Sequence, residues 1–406
     1  MDDFIDPSRS NPLQGWTCSS NEAVSFALVM PDDIVSGTID ESITFSPKYT
    51  YPFFGQEELI FGYKGLSIEL YFTSGSLYPY FNVSYEDKIT LEIAGSLCKA
   101  QELLPPLLEK WPQSSSGQLW TNDMSYFRKR VEEDAKTFRP MGTKIFEYEK
   151  DDAVYEIYHC TFDTPRFKEY HRRLQFFLLF YIEAASYIQE DDKRWDIYLL
   201  FEKVNEGGRL FYNIVGYTTC YRFVYFERCA IDRESESRGE SPNTAARTRI
   251  RISQFLILPP YQENGHGKML YTTLFSLWQS DADIADIVVE DENDGFATLR
   301  DRCDLRYLMA KNAFAGVKFP MTLHDIAEFG KPHKIGRMQA ERLLELGLLK
   351  SLAPSDKASY RKQVIRRLYQ YNETELSGLE PAEMKKKLND AYSAKLEEYR
   401  EVLNTI

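Results

Sequence analysis

The stretch that decides the fold is Arg251-Ile-Ser-Gln-Phe-Leu-Ile-Leu-Pro-Pro-Tyr-Gln-Glu-Asn-Gly-His-Gly-Lys-Met-Leu270. Its run Phe255-Leu-Ile-Leu258 is wholly apolar, which is typical of a strand buried on both faces. The pair Pro259-Pro260 ends that strand, because neither residue has an N–H to donate to a sheet. A glycine turn at 262–267 then leads into 268–278, where leucines recur at helical spacing. The stretch predicts a strand, a turn and a helix N-terminus, whose backbone N–H groups form a seat for phosphate.

The glycine turn departs from two familiar phosphate loops. A Walker A loop needs Ser or Thr after its Gly-Lys, whereas Met269 follows Lys268 here, and it needs a glycine where Gln262 stands. The dinucleotide fingerprint needs a third glycine where Leu270 stands. The remaining pattern, Gln-x-x-Gly-x-Gly, resembles the pyrophosphate loop of the GNAT N-acetyltransferase superfamily. On these residues alone, a bare glycine turn remains open as an alternative.

Length and composition bound the kind of protein. The chain has 406 residues, 43% apolar and 14% aromatic, so we expect two or three globular domains rather than disorder. The net charge of -13 argues against direct nucleic-acid binding and suits a basic partner or substrate. No secretory segment opens the sequence and no apolar run has membrane-spanning length, so we expect a soluble intracellular protein with no membrane partner.

The cysteines and histidines are scattered along the chain. The six cysteines include no Cys-x-x-Cys pair, so we expect neither a zinc ribbon nor a disulfide framework, and a reducing compartment. The five histidines are equally dispersed, and no metal-ligand cluster is visible. We therefore expect no bound metal.

The local patterns predict a mixed α/β (α+β) protein in three parts. Residues 1–142 are a β-rich N-terminal domain with some helix, since strand-like runs recur from 23 to 83. Residues 143–328 hold the sheet that contains the opening stretch, and a polar insertion at 232–246 predicts a mobile hairpin loop. Residues 329–406 predict a small domain of helices only. The helices predicted there are Lys331–Lys350, Lys357–Tyr371 and Glu380–Leu403.

Three carboxylates are candidates for chemistry. The segment 171–188 predicts a buried helix that is apolar almost all round, with Glu183 near its end. A carboxylate there is costly to bury unless it is paired or functional, and its pKa rises on desolvation. Glu290 and Asp291 directly follow the apolar strand 284–289, where α/β sheets place ligand sites. A structural ion pair or surface position stays open for Glu183, and a solvated acidic turn for the other two.

These parts suit acyl transfer to an amine. A lysine amine has a pKa near 10.4 and must lose a proton before it attacks a thioester, so a carboxylate is a suitable base. Direct attack in a ternary complex needs no enzyme nucleophile. The aromatic segment 45–63, with its acids Glu57 and Glu58, is a further candidate surface, although a packed surface loop remains the alternative.

Taken together, the chain closely resembles the catalytic subunits of the type B histone acetyltransferases, which acetylate newly made, free histones. The resemblance covers nearly the whole length and implies a GNAT core sheet flanked by helices. It rests on the following segments of this sequence: Phe45-Ser-Pro, Phe54-Gly-Gln-Glu-Glu-Leu-Ile-Phe-Gly-Tyr-Lys-Gly-Leu66, Tyr181-Ile-Glu-Ala-Ala-Ser-Tyr-Ile188, Asp192-Lys-Arg-Trp195, Val215-Gly-Tyr-Thr-Thr219, 251–262, Glu290-Asp291 and Leu299-Arg-Asp301.

The resemblance implies roles for individual residues. Glu290 matches the principal general base, and Asp291 and Glu183 match carboxylates that share proton removal. The positions that match contacts to acetyl-CoA are Phe255, Leu256, Ile257, Gln262, Glu263, Asn264, Gly265, His266, Gly267, Lys268, Asn293 and Arg302. The positions that match contacts to the histone tail are Gln56, Glu57, Glu58, Tyr221, Arg222 and Phe223.

The resemblance also implies partners and exposes departures. The expected substrate is the N-terminal tail of free histone four, the expected partner is a WD-repeat β-propeller histone chaperone, and the expected location is both cytoplasmic and nuclear. Glu292 stands where relatives commonly have a proline, and Gln56 where they often have an acid. Two other functions remain open: a non-catalytic histone-binding or acyl-CoA-sensing module, and a GNAT enzyme with another amine acceptor such as a polyamine.

Overall fold

The computed structural model describes residues 15–35, 38–90, 99–111, 120–228 and 244–406. The chain divides into two compact units. The first unit consists of Met1–Thr218 and Leu256–Asn264, and the second of Thr219–Phe255 and Gly265–Ile406. The three-part division predicted from the sequence stays a prediction. Most of the insertion 232–246, for which a mobile hairpin loop was expected, lies outside the described residues.

The strands confirm the β-rich N-terminal texture and the strands predicted on both sides of the glycine turn. In the described ranges they are β1 Thr17–Ser19, β2 Val24–Val29, β3 Ile34–Val35, β4 Thr38–Ile39, β5 Leu59–Phe61, β6 Tyr63–Lys64, β7 Ser67–Thr73, β8 Pro79–Ser84, β9 Asp87–Lys88, β10 Thr143–Lys150, β11 Ala153–Cys160, β12 Trp195–Glu206, β13 Arg209–Arg228, β14 Thr244–Ile257 and β15 Ile284–Val289.

The largest sheet has six strands in the order β10-β11-β12-β13-β14-β15. Strand β11 runs antiparallel to β10 and to β12, whereas β14 and β15 are parallel. The turn between β12 and β13 contains Gly207 and Gly208 at φ angles of 57° and 77°. Two successive positive φ angles are typical of a tight hairpin turn, and the adjacent glycines of the sequence adopt them without steric cost.

The helices confirm the predicted mixed α/β class, and the chain after β15 contains helices only in its described regular structure. They are α1 Ser20–Ala23, α2 Tyr51–Phe54, α3 Leu104–Lys110, α4 Met124–Thr137, α5 Phe167–Leu174, α6 Leu178–Tyr181, α7 His266–Ser280, α8 Asp294–Ala310, α9 Leu323–Gly330, α10 Arg337–Leu349, α11 Lys357–Tyr371, α12 Glu373–Leu376 and α13 Pro381–Asn404. Short 3₁₀ turns, including Gln175–Phe177 between α5 and α6, complete the described regular structure.

Aromatic rings fill the core of the first unit. The ring of Phe26 on β2 lies 4.8 Å from that of Phe180 on α6, and the rings of Phe72 and Phe177 are 4.7 Å apart. All four side chains are fully buried. Edge-on and tilted ring pairs at such distances stabilise a core beyond the area they bury. The apolar segment that the sequence places after His171 therefore packs against the N-terminal sheet β2-β7-β8.

The predicted helix 171–188 is too long at its C-terminal end. The helical segment ends at Tyr181, and Ile182 is already extended, with φ −117° and ψ 120°. Ala184 then takes a left-handed φ of 53°, and its N–H donates to the Tyr51 hydroxyl at 2.6 Å. The apolar run stops being helical where the chain turns toward Tyr51, a partner far away in sequence.

In the second unit, one helix follows each strand of the parallel pair β14 and β15. Ile250, Ile252, Ile284 and Ile287 are buried on these strands. Helix α7 follows β14 and buries Leu270 and Leu274, two of the leucines at helical spacing. Helix α8 begins directly after the acidic turn, capped by Asn293, whose side chain accepts a hydrogen bond from the Phe296 N–H at 2.9 Å.

Candidate active site

The predicted strand, turn and helix are confirmed. Strand β14 ends at Ile257, a 3₁₀ turn spans Pro259–Tyr261, and α7 begins at His266, two residues before the predicted start. The N-cap of α7 is Gly265, with a φ of 79° in the left-handed region where glycine is favoured. Glu263 also has a positive φ, of 61°. The loop is therefore a tight turn in which residues 263 and 265 both take left-handed backbone angles.

The start of α7 fits an anionic group. Its N-cap residue is a glycine, which has no side chain to cap the first N–H groups of the helix. The first-turn N–H groups of a helix point along its axis, where the helix dipole favours negative charge. The Gln262 side chain holds the loop in place, because its Nε2 donates to the Ile257 carbonyl at 2.7 Å. The predicted seat for a pyrophosphate is consistent with this geometry.

Strand β14 extends beyond the end of its parallel neighbour. The register with β15 runs from Thr248 to the pair Ile252 and Val289, so residues 253–257 continue past it. A backbone edge of this kind can pair with an extended ligand, such as the pantetheine arm of coenzyme A. The side chains alternate: Ile252, Gln254 and Leu256 are buried, whereas 251, 253 and 255 are half-buried on the other face.

Glu290 lies beside the residue of β14 at which the pairing with β15 ends. It is the first residue after β15, and its backbone N–H donates to the Ile252 carbonyl at 2.9 Å. Asp291 follows with a positive φ of 41°, so the chain turns sharply here. Both residues are exposed rather than enclosed. The strand end thus places two carboxylates beside the part of β14 that continues past its pairing with β15.

Arg251 was not assigned a role from the sequence. Its Nη1 lies 3.0 Å from Oε1 of Glu290. Its guanidinium also lies over the ring of Phe223, at 4.6 Å from the centroid, and 5.8 Å from that of Tyr221. One side chain therefore joins a candidate base to two candidate substrate-binding aromatics. The parallel register of β14 and β15, which sequence patterns do not supply, brings these groups together.

The structure places the remaining second-unit candidates as follows. The rings of Tyr221 and Phe223 are 4.6 Å apart, and Arg222 projects from the other face of the same strand. Phe255 lies 4.7 Å from Phe296, at the start of α8. Arg302 is half-buried on α8, and its Nε has no hydrogen-bond partner among the described residues. Such an unpaired buried donor fits a predicted contact to a ligand.

Glu183 is exposed, so the expectation of a buried carboxylate fails and the alternative of a surface position holds. It lies beyond the end of α6, beside Ala184, rather than within a buried helix. The structure connects this turn to the segment 56–58 of the same unit through Tyr51. The Tyr51 hydroxyl accepts from Ala184, and the Tyr51 N–H donates to the Glu58 carboxylate at 3.0 Å.

Glu58 is engaged within its own loop, whereas Gln56 and Glu57 are exposed. The Glu58 carboxylate accepts hydrogen bonds from the Thr50 N–H at 2.5 Å and from Asn21 Nδ2 at 2.8 Å. Partial burial raises the pKa of this carboxyl, but these donors outweigh burial and lower the pKa below its usual value. The assignment of 56–58 to the histone tail stays a prediction.

Two absences apply to the described part of the chain. It contains no group of three or more His, Cys, Asp or Glu side chains placed to hold a metal ion. Among the same residues, no helix combines the length and apolarity that crossing a membrane requires.

The arrangement defines a class of protein: an acyl-group transferase with an anion seat at a strand–turn–helix and a carboxylate at the next strand end. Residues 16–183 match a family described as "Histone acetyl transferase HAT1 N-terminus". Histone acetyltransferase type B catalytic subunits from Cryptococcus neoformans and Kluyveromyces lactis are each 34% identical, over 96% of this chain and 98% and 93% of the relative. The Candida glabrata relative is 36% identical, over 96% of this chain and 92% of its own.

The chain belongs to the family of type B histone acetyltransferase catalytic subunits, and it is an enzyme that acetylates histones. Solved acetyltransferases align over a smaller part. The xEco2 acetyltransferase domain, bound to a CoA conjugate, is 12% identical over 40% of this chain and 93% of its own, with a TM-score of 0.26. Arabidopsis thaliana NAA60 is 14% identical over 36% of this chain and 82% of its own, with a TM-score of 0.21.

Proposed function

We propose that the protein transfers the acetyl group of acetyl-CoA to a lysine side chain in the N-terminal tail of free, newly made histone four. Glu290 is the general base, and Asp291 and Glu183 assist it. The observation that carries this proposal is the position of Glu290. Its N–H donates to the carbonyl of Ile252, the last residue of β14 that pairs with β15, which puts Glu290 beside the start of the edge proposed for the donor.

The chemistry follows from this placement. The Glu290 carboxylate takes a proton from the lysine ammonium, and the freed lone pair attacks the thioester carbonyl. A carbon–nitrogen bond forms, the carbon–sulphur bond breaks, and the thiolate leaves with the electron pair of that bond and takes up the second proton, which the nitrogen releases as it becomes an amide. Holding both substrates in one complex supplies orientation without a covalent enzyme intermediate.

The proposal that a histone tail is the acceptor is supported by the negative charge of the chain and by exposed acidic side chains. The chain carries a net charge of -13, and Glu57, Glu290 and Asp291 are exposed acids that attract a basic tail. We propose a WD-repeat β-propeller histone chaperone as partner, and both cytoplasm and nucleus as locations. Co-purification of tagged chain with such a chaperone, and microscopy of the tagged chain in cells, test these two proposals.

The substitution Glu290→Gln tests the base. It should lower kcat on free histone four about 10²- to 10⁴-fold, because a carboxamide cannot accept the proton. Acetyl-CoA affinity should stay unchanged, since the shape of the side chain is kept. Radiolabelled acetyl transfer gives the rate and calorimetry gives the affinity. Asp294→Asn, at the exposed first residue of α8, is the matched control and should keep full activity.

The acceptor distinguishes the competing functions. Assays with free histones, nucleosomes and spermidine, followed by mapping of the modified lysine, should show transfer to the tail of free histone four. Preference for spermidine would indicate another amine acceptor. Histone binding without transfer would indicate a non-catalytic module. Full activity of Glu290→Gln would show that the base is assigned to the wrong residue.

A further inference from the structure

Two arginines on β14 repeat one arrangement. Arg249 and Arg251 are two residues apart, so both project from the same face of the strand. Arg249 forms a bidentate pair with Asp286 of β15, at 2.6 Å and 2.7 Å, and lies over the Tyr225 ring at 4.6 Å. Each arginine thus contacts an acid on the side of β15 and an aromatic ring of β13.

Arg251 contacts an acid whose position in the chain differs from that of Asp286. Asp286 lies within β15, directly opposite Arg249 in the register. Glu290 lies just past the end of that strand, in a turn, and its Oε1 lies 3.0 Å from Nη1 of Arg251. The backbone of Asp286 lies inside the paired part of β15, whereas the chain turns away directly after Glu290, whose carboxylate is contacted by Arg251.

We propose that Arg251 is a positioning residue: stacked on Phe223, it holds Oε1 of Glu290 and directs Oε2 toward the acceptor amine. This inference rests on the proposed function, in which Glu290 is the base. An ion pair also requires the ionised carboxylate, which is the form that accepts a proton. Arg251 itself touches neither substrate in this role.

The residue type fits this task. A guanidinium is flat, so it can stack on a ring with its face while its N–H groups donate within its plane. A lysine ammonium carries the same charge but cannot combine these two contacts in a fixed direction. The pair is also open to solvent, with side-chain exposures of 30% for Arg251 and 39% for Glu290. Exposed ion pairs contribute little to stability, so orientation is the larger consequence.

A double-mutant cycle tests the proposal. Arg251→Gln should lower kcat on histone four by about 10- to 100-fold, the size expected when a catalytic group is displaced by about 1 Å. The affinity for acetyl-CoA should not change. In the Glu290→Gln background, the same substitution should cause no further loss, because the residue it positions is already inactive. Arg251→Lys, which keeps the charge, should stay closer to Arg251→Gln than to the natural protein.

The control is Arg249→Gln, which breaks the matching pair with Asp286. It should lower the midpoint of thermal unfolding and leave kcat unchanged. Unchanged kcat in Arg251→Lys and Arg251→Gln, or losses that add fully to that of Glu290→Gln, would overturn the positioning role while the base stands. An active Glu290→Gln enzyme would instead overturn the proposed base. If Arg251→Gln does not fold, the cycle is run with Arg251→Lys.

Discussion

At the residue scale, His171 shows how a single buried group makes stability depend on pH. It lies on α5 with 1% of its surface exposed, between the rings of Phe162 and Phe167 at 5.1 Å and 5.5 Å. Its Nε2 has no hydrogen-bond partner among the described residues. Burial lowers the pKa of His171 to about 4, because a charged imidazolium is poorly solvated among rings.

Acid should therefore weaken the fold through His171. Below pH 6.5, the ordinary pKa of histidine, the imidazole of His171 binds a proton in the unfolded chain. In the folded chain its pKa is about 4, so it stays neutral until the pH falls to that value. The free energy of unfolding should fall over this range by up to about 3 kcal/mol from this group. Urea unfolding at several pH values measures the slope, and His171→Leu should flatten it between pH 6.5 and 4. An equal slope in both proteins would contradict the assignment.

Residue types and their spacing predicted the candidate acids but not their surroundings. The sequence proposes Glu290 and Asp291 as candidates because they follow an apolar run at a strand end. The exposure of Glu183 and the hydrogen bonds of Glu58 with the N–H groups of Thr50 and Tyr51 depend on how separate segments of the chain meet in the fold. Arg251 was invisible as a site residue, since its contact with Glu290 exists only once two strands are placed in parallel register.

At the element scale, the close approach of β13 and β14 depends on one glycine. A Cβ added at Gly216 would lie 2.4 Å from the carbonyl oxygen of Leu256, a backbone atom that cannot rotate away. Gly216→Ala should therefore displace the end of β14 that is proposed to hold the donor. We expect a loss of stability of about 1–3 kcal/mol, the range of overpacking, together with weaker binding of acetyl-CoA.

Gly208→Ala is the matched control for that substitution. Gly208 lies in the hairpin turn with a φ of 77°, and a Cβ there would meet nothing within 4 Å. It should lose about 1–2 kcal/mol through backbone strain alone and keep its affinity for acetyl-CoA. Calorimetric titration and urea unfolding measure both quantities. Equal acetyl-CoA affinities in the two variants would refute the role of Gly216 in placing β14.

Elements whose apolar residues recur at a clear helical or strand spacing were predicted well, whereas the residues at which they end were predicted less well. Apolar runs predicted the end of β14 and the strand β15, and helical spacing predicted α7 and the C-terminal helices. The buried segment after His171 was correctly predicted as helical, but its end was placed seven residues too late, at Ile188 rather than Tyr181. Apolarity continues after the helix stops, so hydrophobic periodicity alone could not locate this end.

At the scale of the whole molecule, the C-terminal helices are joined to α8 of the same unit by buried polar groups. Asp304 on α8 accepts from the Tyr271 hydroxyl at 2.7 Å and from Gln339 on α10 at 3.2 Å. Burial raises its pKa to about 6. Asp301, also on α8 and fully buried, accepts from Arg342 on α10 at 2.5 Å. Helix α8 starts three residues after Asp291, so these contacts brace the element that follows the candidate base.

Breaking this network on one side should be costly. Arg342→Met leaves Asp301 buried without its guanidinium, which should reduce the free energy of unfolding by about 3–5 kcal/mol at neutral pH. The deficit should shrink as the pH falls. Burial already raises the pKa of Asp301 and Arg342 opposes that rise, so without Arg342 the carboxyl becomes neutral more readily and needs no counter-charge. The double substitution Arg342→Met/Asp301→Leu should recover much of the loss, because it removes both charges. Urea unfolding between neutral and acid pH measures all three proteins, and a deficit that stays constant with pH would mean that the lost stability comes from packing of the arginine rather than from its charge.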